Sequence, residues 1–445
     1  MKHDMTEGPI TQHLVRFAIP LILGNMFQLT YNAVDSIVVG RFVGNHAQAA
    51  IGICNPFMNV LTFFIVGVCN GISVLMSEFY GAKDEKTLRR EMGTSLVFGM
   101  GFFLALALCI WILVNPILTV LSTPEEVFSM TAGYLRIVLI GLIFTYIYNL
   151  YASTLRSMGD AKTPLYFLIF SSVLNIALDL IFVAGMKMQV YGAAVATVIS
   201  QFLSSMLCVF YVRRNVPVLR LTRGERQIDR SLLGRTIHYS WATGMQKITL
   251  NVGKLLVQAF INPLGVDIIA AFNAVNRIDD FVFQPEQSIG AAMTTFAAQN
   301  RGAKKNDRIQ KSFHIGMMME VVYWAFIGTV VFVSSRTLMS WFAPTPDNIM
   351  VDLGVSYLHI MAFLYLMPGL TNGLQGYVRG WGQMNVCLIS TFVQIVGRVA
   401  AAAVLIPRFG MQGAAYCCFV GWTVMLLYEV PYYLIHKKEK FTLKA

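Results

Sequence analysis

The feature that most constrains this chain is a succession of twelve long apolar runs. Each has about 20 residues or more, the length that an α-helix needs to cross the hydrocarbon core of a bilayer. The approximate spans are 14-39, 51-79, 92-114, 131-155, 164-186, 190-212, 236-260, 268-298, 312-333, 352-378, 384-406 and 411-435. With 56% hydrophobic and 13% charged residues, the composition also departs from that of a soluble domain. We therefore predict an all-α polytopic membrane protein with 12 transmembrane helices.

The basic residues predict the orientation of these helices. If the N-terminus is cytoplasmic, the inside segments hold 24 lysines and arginines and the outside segments hold four, namely Arg41, Lys187, Arg336 and Arg408. The positive-inside rule then places both termini in the cytoplasm. Since the net charge of +11 is explained by topology, no nucleic-acid partner is expected.

The chain also contains an internal repeat. The segment "YGAKDEKTLRR" at 80-90 has a counterpart in "RGAKKNDRIQK" at 301-311, and "LRSMGD" at 155-160 has one in "VRGWGQ" at 378-383. Because six spans is an even number, the halves enter the membrane in the same direction, as two parallel six-helix repeats. The predicted parts are an N-terminal lobe at 1-212, a basic cytoplasmic linker at 213-235, a C-terminal lobe at 236-436 and a basic cytoplasmic tail at 437-445.

A polar stripe runs along the first predicted helix. Asn25, Gln28, Asn32 and Asp35 recur at intervals of three and four, which confines them to an arc of about 80°. Tyr31 borders that arc. Such a stripe does not face lipid, so we expect it to line protein or water.

A second stripe lies on the fifth predicted helix, where Ser171, Asn175 and Asp179 are spaced by four residues. Thr197 on the sixth helix lies at a similar predicted depth. Carboxylate, amide and hydroxyl oxygens are hard ligands suited to Na⁺ or to holding a shared proton. We therefore predict a cation-coupling site that includes Asp35 and Asp179, with Na⁺ there as the only metal.

The alternative is that these polar residues only hydrogen-bond helices to one another. The repeat argues against this for the acids. At the repeat displacement, Asp35 corresponds to Leu256 and Asp179 corresponds to Ala400 to Ala402, so the repeated scaffold itself does not require an acid at either position.

The second half carries different charges. We predict a substrate cavity lined by Lys247, Lys254, Arg277, Asp279 and Arg398, together with Tyr31, Asn32 and Gln28 of the first half. A local Arg277–Asp280 pair at i,i+3 is an equally good structural interpretation of two of these charges. The lysines need partners, and we expect acids on the eighth helix to supply them.

The second half has three further acids, and we count Glu286 and Glu320 with the other charges as candidate cavity residues. Glu286 lies on the eighth predicted helix and Glu320 on the ninth. Glu429 is close to the cytoplasmic end of the last helix, where we expect it to be solvated.

The motifs of common enzymes and nucleotide-driven pumps are missing: there is no G-x-x-x-x-G-K-[ST], no H-E-x-x-H and no G-x-S-x-G. We expect a transporter rather than an enzyme, with no cofactor, and with H⁺ or Na⁺ as the coupling ion. Pro20 removes one backbone hydrogen bond ahead of the polar stripe, which permits a bend in the first helix.

Three segments carry a resemblance to a known family. "FAIPLILGNMFQLTYNAVDSIVVGRFVG" at 17-44, "LRSMGDAKTP" at 155-164 and "NIALD" at 175-179, with the two-lobe plan, resemble the multidrug and toxic compound extrusion (MATE) family, and within it the bacterial branch that includes DNA-damage-inducible relatives. The resemblance implies a multi-pass exporter of the bacterial inner membrane. It would antiport small amphiphilic, often cationic compounds outward against H⁺ or Na⁺ by alternating access, and we expect a monomer.

The resemblance also implies a set of site residues. The cation site of related prokaryotic members matches Asp35, Asn149, Asn175, Asp179 and Thr197 here. Members are also thought to bend the first helix at a proline matching Pro20 when the aspartate is protonated. This chain departs from the branch that binds Na⁺ through acids on helices seven and ten, because helix seven offers lysines instead and helix ten has only Asp352, at its start.

A second function stays open. A flippase or exporter for a lipid-linked or anionic metabolite belongs to the same superfamily. Fourteen spans and a strongly cationic cavity would favour it; twelve spans argue against it. Lys247, Lys254, Arg277 and Arg398 keep an anionic cargo open.

Overall fold

The computed structural model of the chain describes the backbone of residues 4–42, 45–343, 345 and 348–437, and the side chains of the same ranges except 33–42, 45–48 and 223. The described residues form helices and include no strand. Helices α1 to α12 are Ile10–Phe42, Asn45–Gly81, Glu85–Val120, Glu125–Ser157, Lys162–Asp179, Gln189–Asn215, Arg230–Ile261, Val266–Gly302, Asn306–Ser340, Ile349–Leu364, Leu366–Gly380 and Met384–His436. A π-helical turn, Leu180–Gly185, continues α5. The all-α prediction is confirmed.

Eight of the described helices are long and apolar enough to cross a membrane, and α10 with α11, bent by 44°, would make a ninth. The helix α12 has 53 residues and a kink at Gly410, so it covers both of the last two predicted spans. Helices α7 and α8 are not among the eight, since charges such as Lys254 and Asp279 lower their hydropathy. Each of the twelve predicted spans thus coincides with a helical segment.

The repeat is visible in the backbone of two pairs of loops. Lys83 and Lys304 both adopt a positive φ, of 58° and 56°, which is uncommon for any residue except glycine. The N–H of each bonds to the carbonyl three residues earlier, at 3.1 and 3.0 Å. Gly159 and Gly382 likewise share φ values of 88° and 83°. Equivalent loops of the two halves therefore have the same local geometry.

The chain divides into two compact units. The first unit contains Leu23–Gly244, and the second contains Asp4–Ile22 and the chain from Met245 onward. Helices α1 and α7 are each divided between the units, after residues 22 and 244. Residues 22 and 244 are 222 positions apart, within one position of the displacement of 221 between the loops at 80-90 and 301-311, so the two divisions fall at nearly equivalent places in the repeat. The predicted lobes follow the repeat and stay a prediction; the compact units divide inside helices instead.

Each unit has its own core. In the first unit, α4 packs against α2, α3 and α6. The buried side chains there include Ile110, Val114, Leu118, Leu135, Leu139, Val190 and Ala194. In the second unit, α8 packs against α9, α10 and α11. Its buried side chains include Val275, Val331, Leu358, Met361 and Ile406.

The predicted basic linker is docked against α3 in the first unit. Arg89 Nε donates to Glu225 Oε1 at 2.9 Å, and the Arg90 guanidinium lies 2.5 Å from Asp229 Oδ2. The backbone N–H of Asp229 donates to Thr94 Oγ1 at 3.0 Å. Glu225 and Asp229, two acids of the otherwise basic linker, therefore hold the linker against Arg89 and Arg90 at the start of α3.

The segment before α1 is held in the second unit in a comparable way. The Met5 N–H donates to Gln299 Oε1 at 3.1 Å, and Asn300 Nδ2 donates to the Met5 carbonyl at 3.2 Å. Arg308 donates to the Gly8 carbonyl at 2.9 Å. The chain that leads into α1 is thus fixed at the end of α8 and the start of α9.

Candidate functional site

The two polar stripes of the first unit meet through Tyr31. Its hydroxyl donates to Asn175 Oδ1, which joins α1 to α5. Asn175 and Asp179 are 4% and 1% exposed and lie one turn apart on α5. Ser171, one turn earlier, is half-buried. The structure therefore brings the predicted α1 and α5 stripes together, with two polar side chains in the interior of the unit.

Asp179 is the last residue of α5, and the π-helical turn begins at the next residue. A π-helical turn holds an extra residue within a helix and is found often at functional sites. It changes the direction in which side chains beyond Asp179 project. The backbone irregularity therefore lies directly beside the buried carboxyl group.

The rest of the α1 stripe is only partly described. Asp35, the acid predicted to pair with Asp179, lies in α1, but its side chain is outside the described residues. Asn25 is half-buried, while Gln28 and Asn32 are exposed. Amide groups at membrane depth face protein or water rather than lipid, so the last two fit the predicted cavity lining.

Two predicted ligands are bonded within their own helices. Thr197 Oγ1 donates to the Ala193 carbonyl at 2.9 Å, and Asn149 Nδ2 donates to the Thr145 carbonyl at 2.8 Å. Both side chains are half-buried. The bond of Thr197 uses its hydroxyl proton, and the bond of Asn149 uses one of its two amide protons. Both side chains keep oxygen acceptors for a further ligand, but no described hydrogen bond joins either residue to Asp179.

Pro20 lies inside α1 and is buried. It lacks the N–H that would bond to the Arg16 carbonyl. The division of α1 between the two units falls after Ile22, only two residues further along. The helix is therefore weakened close to the point where it passes from one unit to the other.

In the second unit, Asp279 lies in the packed interior. It is 5% exposed, and its two oxygens accept hydrogen bonds from Tyr365 at 2.6 Å and from Tyr357 at 2.8 Å. A buried carboxylate with two hydroxyl donors is well satisfied. The sequence singled out Asp279 but missed the tyrosines, because neither residue stands out within its apolar run.

The exposed charges of α7 and α8 pair across the two helices. Lys254 Nζ lies 2.9 Å from Asp280 Oδ1, so the expectation of an α8 acid as lysine partner is confirmed for Lys254. Asp280 uses this lysine rather than Arg277, and the local Arg277–Asp280 interpretation is wrong for the described residues. Arg277 itself is exposed.

The other two predicted cavity cations are half-buried. Lys247 has no ion pair among the described residues, and Arg398 packs against Gly421 of the second segment of α12. The Nε of Arg398 is buried, with no hydrogen-bond partner in the described part of the chain. They are not joined to Asp279 by any described bond.

Three acids of the second unit are more buried than the sequence indicated. Glu286 and Glu320 are each 0% exposed, and Glu429 is 3% exposed. The expectation that Glu429 is solvated is wrong, because Gln375 on α11 covers it and donates to its Oε1 at 3.0 Å. Sequence position near a helix end gave no sign of this neighbour.

A family model described as MatE matches the chain twice, at residues 20–181 and 242–404. The two matches together cover well over half of the chain. One family model matching both halves also supports the internal repeat that the loops at Lys83 and Lys304 share.

Curated relatives extend over most of the chain. "Probable multidrug resistance protein YoeA" of Bacillus subtilis (strain 168) is 31% identical over 373 residues, which is 82% of this chain and 80% of that protein. "Probable multidrug resistance protein NorM" of Thermotoga maritima is 23% identical over 426 residues, covering 93% and 89%. The DNA-damage-inducible branch stays a prediction.

Solved structures show the same fold. One, described as "Outward-facing conformation of a multidrug resistance MATE family transporter of the MOP superfamily", has a TM-score of 0.90 at 18% identity and covers 98% of this chain and 97% of that chain. Another, "Crystal structure of MATE in the bent conformation", has a TM-score of 0.89 at 19% identity and covers 98% of both chains.

Proposed function

Because the chain belongs to the MatE family, a family of transporters, we propose that it is a multidrug exporter. It antiports small amphiphilic, often cationic compounds outward against H⁺ or Na⁺ by alternating access. It acts as a monomer in the bacterial inner membrane, with both termini in the cytoplasm. The relatives named as multidrug resistance proteins support the substrate class, and the distribution of lysine and arginine supports the orientation.

The observation that carries the proposal is the contact between the polar faces of α1 and α5. Tyr31 binds Asn175, and the buried Asp179 follows one turn later. An ionisable group inside a membrane helix is costly, and such groups commonly mark ion pathways. A carboxyl group in this position changes its charge when it binds a proton or Na⁺.

The coupling step follows from that change of charge. When Asp35 and Asp179 are neutralised, the polar attraction between α1 and α5 changes, and α1 is weakest near Pro20. A bend there would move the exposed stripe of α1 and so change the access of a bound substrate. Each cation moved through 100 mV contributes about 2.3 kcal/mol to the cycle.

Purified protein in liposomes tests this proposal. An imposed pH or Na⁺ gradient should drive the export of a fluorescent organic cation, and Asp179→Asn and Asp35→Asn should each abolish the gradient-driven part. Asp352→Asn is the matched control, because Asp352 is exposed and pairs with Arg336 at the surface. Equal gradient-driven export by Asp179→Asn and wild type would contradict the assignment.

The same vesicles identify the coupling ion. Export driven by a pH gradient without Na⁺ indicates H⁺ antiport, and export driven by Na⁺ at constant pH indicates Na⁺ antiport. Export of an anionic probe in place of the cation would instead support the flippase or anionic-metabolite alternative.

A further inference from the structure

Two buried glutamates in the second unit have no hydrogen-bond partner among the residues that the structure describes. Glu286 on α8 and Glu320 on α9 are both 0% exposed. All four carboxyl oxygens are buried, and none has a partner among the described residues. Buried polar groups in proteins are nearly always hydrogen-bonded, so two adjacent exceptions need an explanation.

The two side chains converge beside Gly369 of α11. A Cβ atom placed on Gly369 would lie 3.4 Å from Glu320 Oε2 and 3.9 Å from the carboxyl carbon of Glu286. The same face of α11 presents Gly373, where a Cβ would lie 3.6 Å from Glu320 Cγ. Gly369 comes four residues after Tyr365, where α10 and α11 meet at their 44° bend. Both carboxyl groups therefore lie beside Gly369, where α11 carries no side chain.

Within the described part of the chain, the groups next to this pair supply no counter-charge. Electrostatic interactions connect Glu286 with Asp279 and Tyr365, and connect both glutamates with Tyr323 of α9. The tyrosine hydroxyls are committed elsewhere: Tyr323 donates to the Val282 carbonyl at 2.9 Å, and Tyr365 donates to Asp279. From α10, Tyr357 also donates to Asp279, and Arg398 of α12 interacts electrostatically with Tyr357.

Ionising both glutamates at once in this buried place carries a large free-energy cost. An unpaired ion in a protein interior costs several kcal/mol, and two neighbouring carboxylates also repel each other. A cation must therefore accompany the pair. A proton satisfies this need directly, because one protonated carboxyl then donates a short hydrogen bond to the other.

A proton fits the surroundings better than a metal ion. Na⁺ and similar hard cations take several oxygen ligands, whereas the described residues contain no group of three or more acidic, histidine or cysteine side chains placed to hold a metal. The side chains beside Gly373 are the thioethers of Met317 and Met293, which are poor ligands for such ions.

The first unit lacks this arrangement at the equivalent positions. At the repeat displacements, Glu286 corresponds to Ile65, Glu320 to Gly99 and Gly369 to Tyr146. There the Tyr146 ring fills the space against Gly99, and its hydroxyl donates to the Ser95 carbonyl at 2.6 Å. The shared scaffold therefore does not require acids here.

We propose that Glu286 and Glu320 form a proton-binding carboxyl pair on α8 and α9, separate from the Asp35 and Asp179 site of the first unit. The pair shares an exchangeable proton and is placed beside the bend between α10 and α11. Proton binding stands on its own; only its use in export rests on the proposed function.

Infrared difference spectroscopy of the purified protein, titrated with pH in Na⁺-free buffer, tests proton binding without any transport. Wild type should show a protonated-carboxyl band that disappears as the pH rises. Glu286→Gln and Glu320→Gln should each shift the frequency and the titration pH of this band, because interacting carboxyls titrate as a pair, and the double variant should lose it. Glu429→Gln is the control: it removes another buried glutamate of the same unit, one that is bonded to Gln375, and should keep that band.

Two infrared results would overturn the proposal: an unchanged band in both single variants, or a wild-type band that responds to added Na⁺ at fixed pH. Gln is nearly isosteric with Glu and neutral, so the variants should fold; thermal melts check this. In the double variant Glu286→Gln/Glu320→Gln, the wild-type fall of melting temperature at high pH should be lost, and an undiminished fall would also contradict the pair.

A transport measurement separates this inference from the proposed function. In the liposomes described above, Glu286→Gln should shift the pH dependence of export while Glu429→Gln leaves it unshifted. If no variant exports anything, the proposed function fails and the infrared result still decides on proton binding. If both wild type and Glu286→Gln export the probe with the same pH dependence, the carboxyl pair has no part in coupling.

Discussion

The interior of the first unit is filled by a tyrosine where the second unit has a glycine. Tyr146 on α4 packs against Gly99 on α3, while the equivalent Gly369 on α11 faces Glu320 on α9. The large and small residues have changed places between the halves, and the second half has gained a buried acid. Repeated helices thus keep their packing positions while the chemistry between them differs.

The acids that do have partners also differ between the units. Asp279 accepts two tyrosine hydroxyls inside the second unit and is locked by them. Asp179 lies next to an amide that Tyr31 binds, at the start of a π-helical turn. Since a carboxylate held by two hydroxyl donors has little reason to exchange a cation, we do not expect Asp279 to couple ion movement to export.

The largest expected effect on stability comes from adding a methyl group at Gly99, the glycine that faces Tyr146. In Gly99→Ala, the new Cβ would lie 1.9 Å from the Tyr146 hydroxyl oxygen. We expect a loss of about 3 kcal/mol in the free energy of unfolding, since overpacking in a dense core costs about this much. Thermal or denaturant unfolding of the purified protein in detergent measures it.

Gly369→Ala is the matched control in the second unit. Its Cβ would meet no atom closer than 3.4 Å, and alanine favours a helix over glycine by about 1 kcal/mol. We expect unchanged or slightly higher stability. If Gly369→Ala were as destabilised as Gly99→Ala, the space beside Glu320 would not be open and the contrast between the units would fail.

The next largest effect on stability is expected from Tyr365→Phe, in which Asp279 loses one of its two hydroxyl donors. Removing the hydroxyl leaves Asp279 Oδ1 buried without its donor, which costs about 2 kcal/mol. The melting temperature should fall accordingly, and Tyr357→Phe should act in the same way through Oδ2. Tyr166→Phe, at a side chain that is 64% exposed, should leave it unchanged. A neutral result for both buried tyrosines would show that Asp279 is not held by them.

The apolar runs were enough to predict the helices, because bilayer thickness imposes a length that a sequence cannot avoid. They did not predict where α12 kinks or that α10 and α11 bend, since both depend on local backbone choices at Gly410 and Tyr365. Charged residues inside apolar runs, such as Asp179, could be identified from the sequence as readily as the helices.

Partners of those charges were harder to predict. Asp280 pairs with Lys254 on another helix, not with its neighbour Arg277, because the rotation of α7 against α8 decides which side chains meet. The burial of Glu429 and the meeting of Glu286 with Glu320 depend in the same way on helix packing. A single sequence carries no information on such rotations beyond the polar stripes.

Breaking the α1–α5 link gives a smaller effect that bears directly on the first unit. Tyr31→Phe removes the hydrogen bond to Asn175, worth about 1 kcal/mol. If that bond stabilises one state of the export cycle, gradient-driven export should fall about fivefold. Tyr148→Phe is a suitable control, because Tyr148 also reaches α5 but binds only the Pro164 carbonyl, at 3.3 Å. Equal export by wild type and Tyr31→Phe would show that the Tyr31–Asn175 bond has no part in coupling.

The smallest expected effect concerns the basic linker, which is bound to α3 of the first unit. Hydrogen bonds from Ser231, with the nearby Arg90, hold the pKa of Asp229 below its usual value. A lowered pKa in the folded state means that this contribution is present above the unfolded-state pKa of about 4 and is lost as the pH falls through the lower folded value. In Asp229→Asn we therefore expect a loss below about 1 kcal/mol at pH 7.

Limited proteolysis of the linker measures this loss, because a loosened segment is cut faster. Cleavage of Asp229→Asn should exceed that of wild type at neutral pH, and the difference should shrink in high salt, which screens the Arg90 pair. Asp352→Asn, which removes a surface charge far along the chain, should not change the cleavage rate. If the Asp229→Asn difference persisted unchanged in high salt, the backbone bond to Thr94 rather than the ion pair would be what holds the linker on α3.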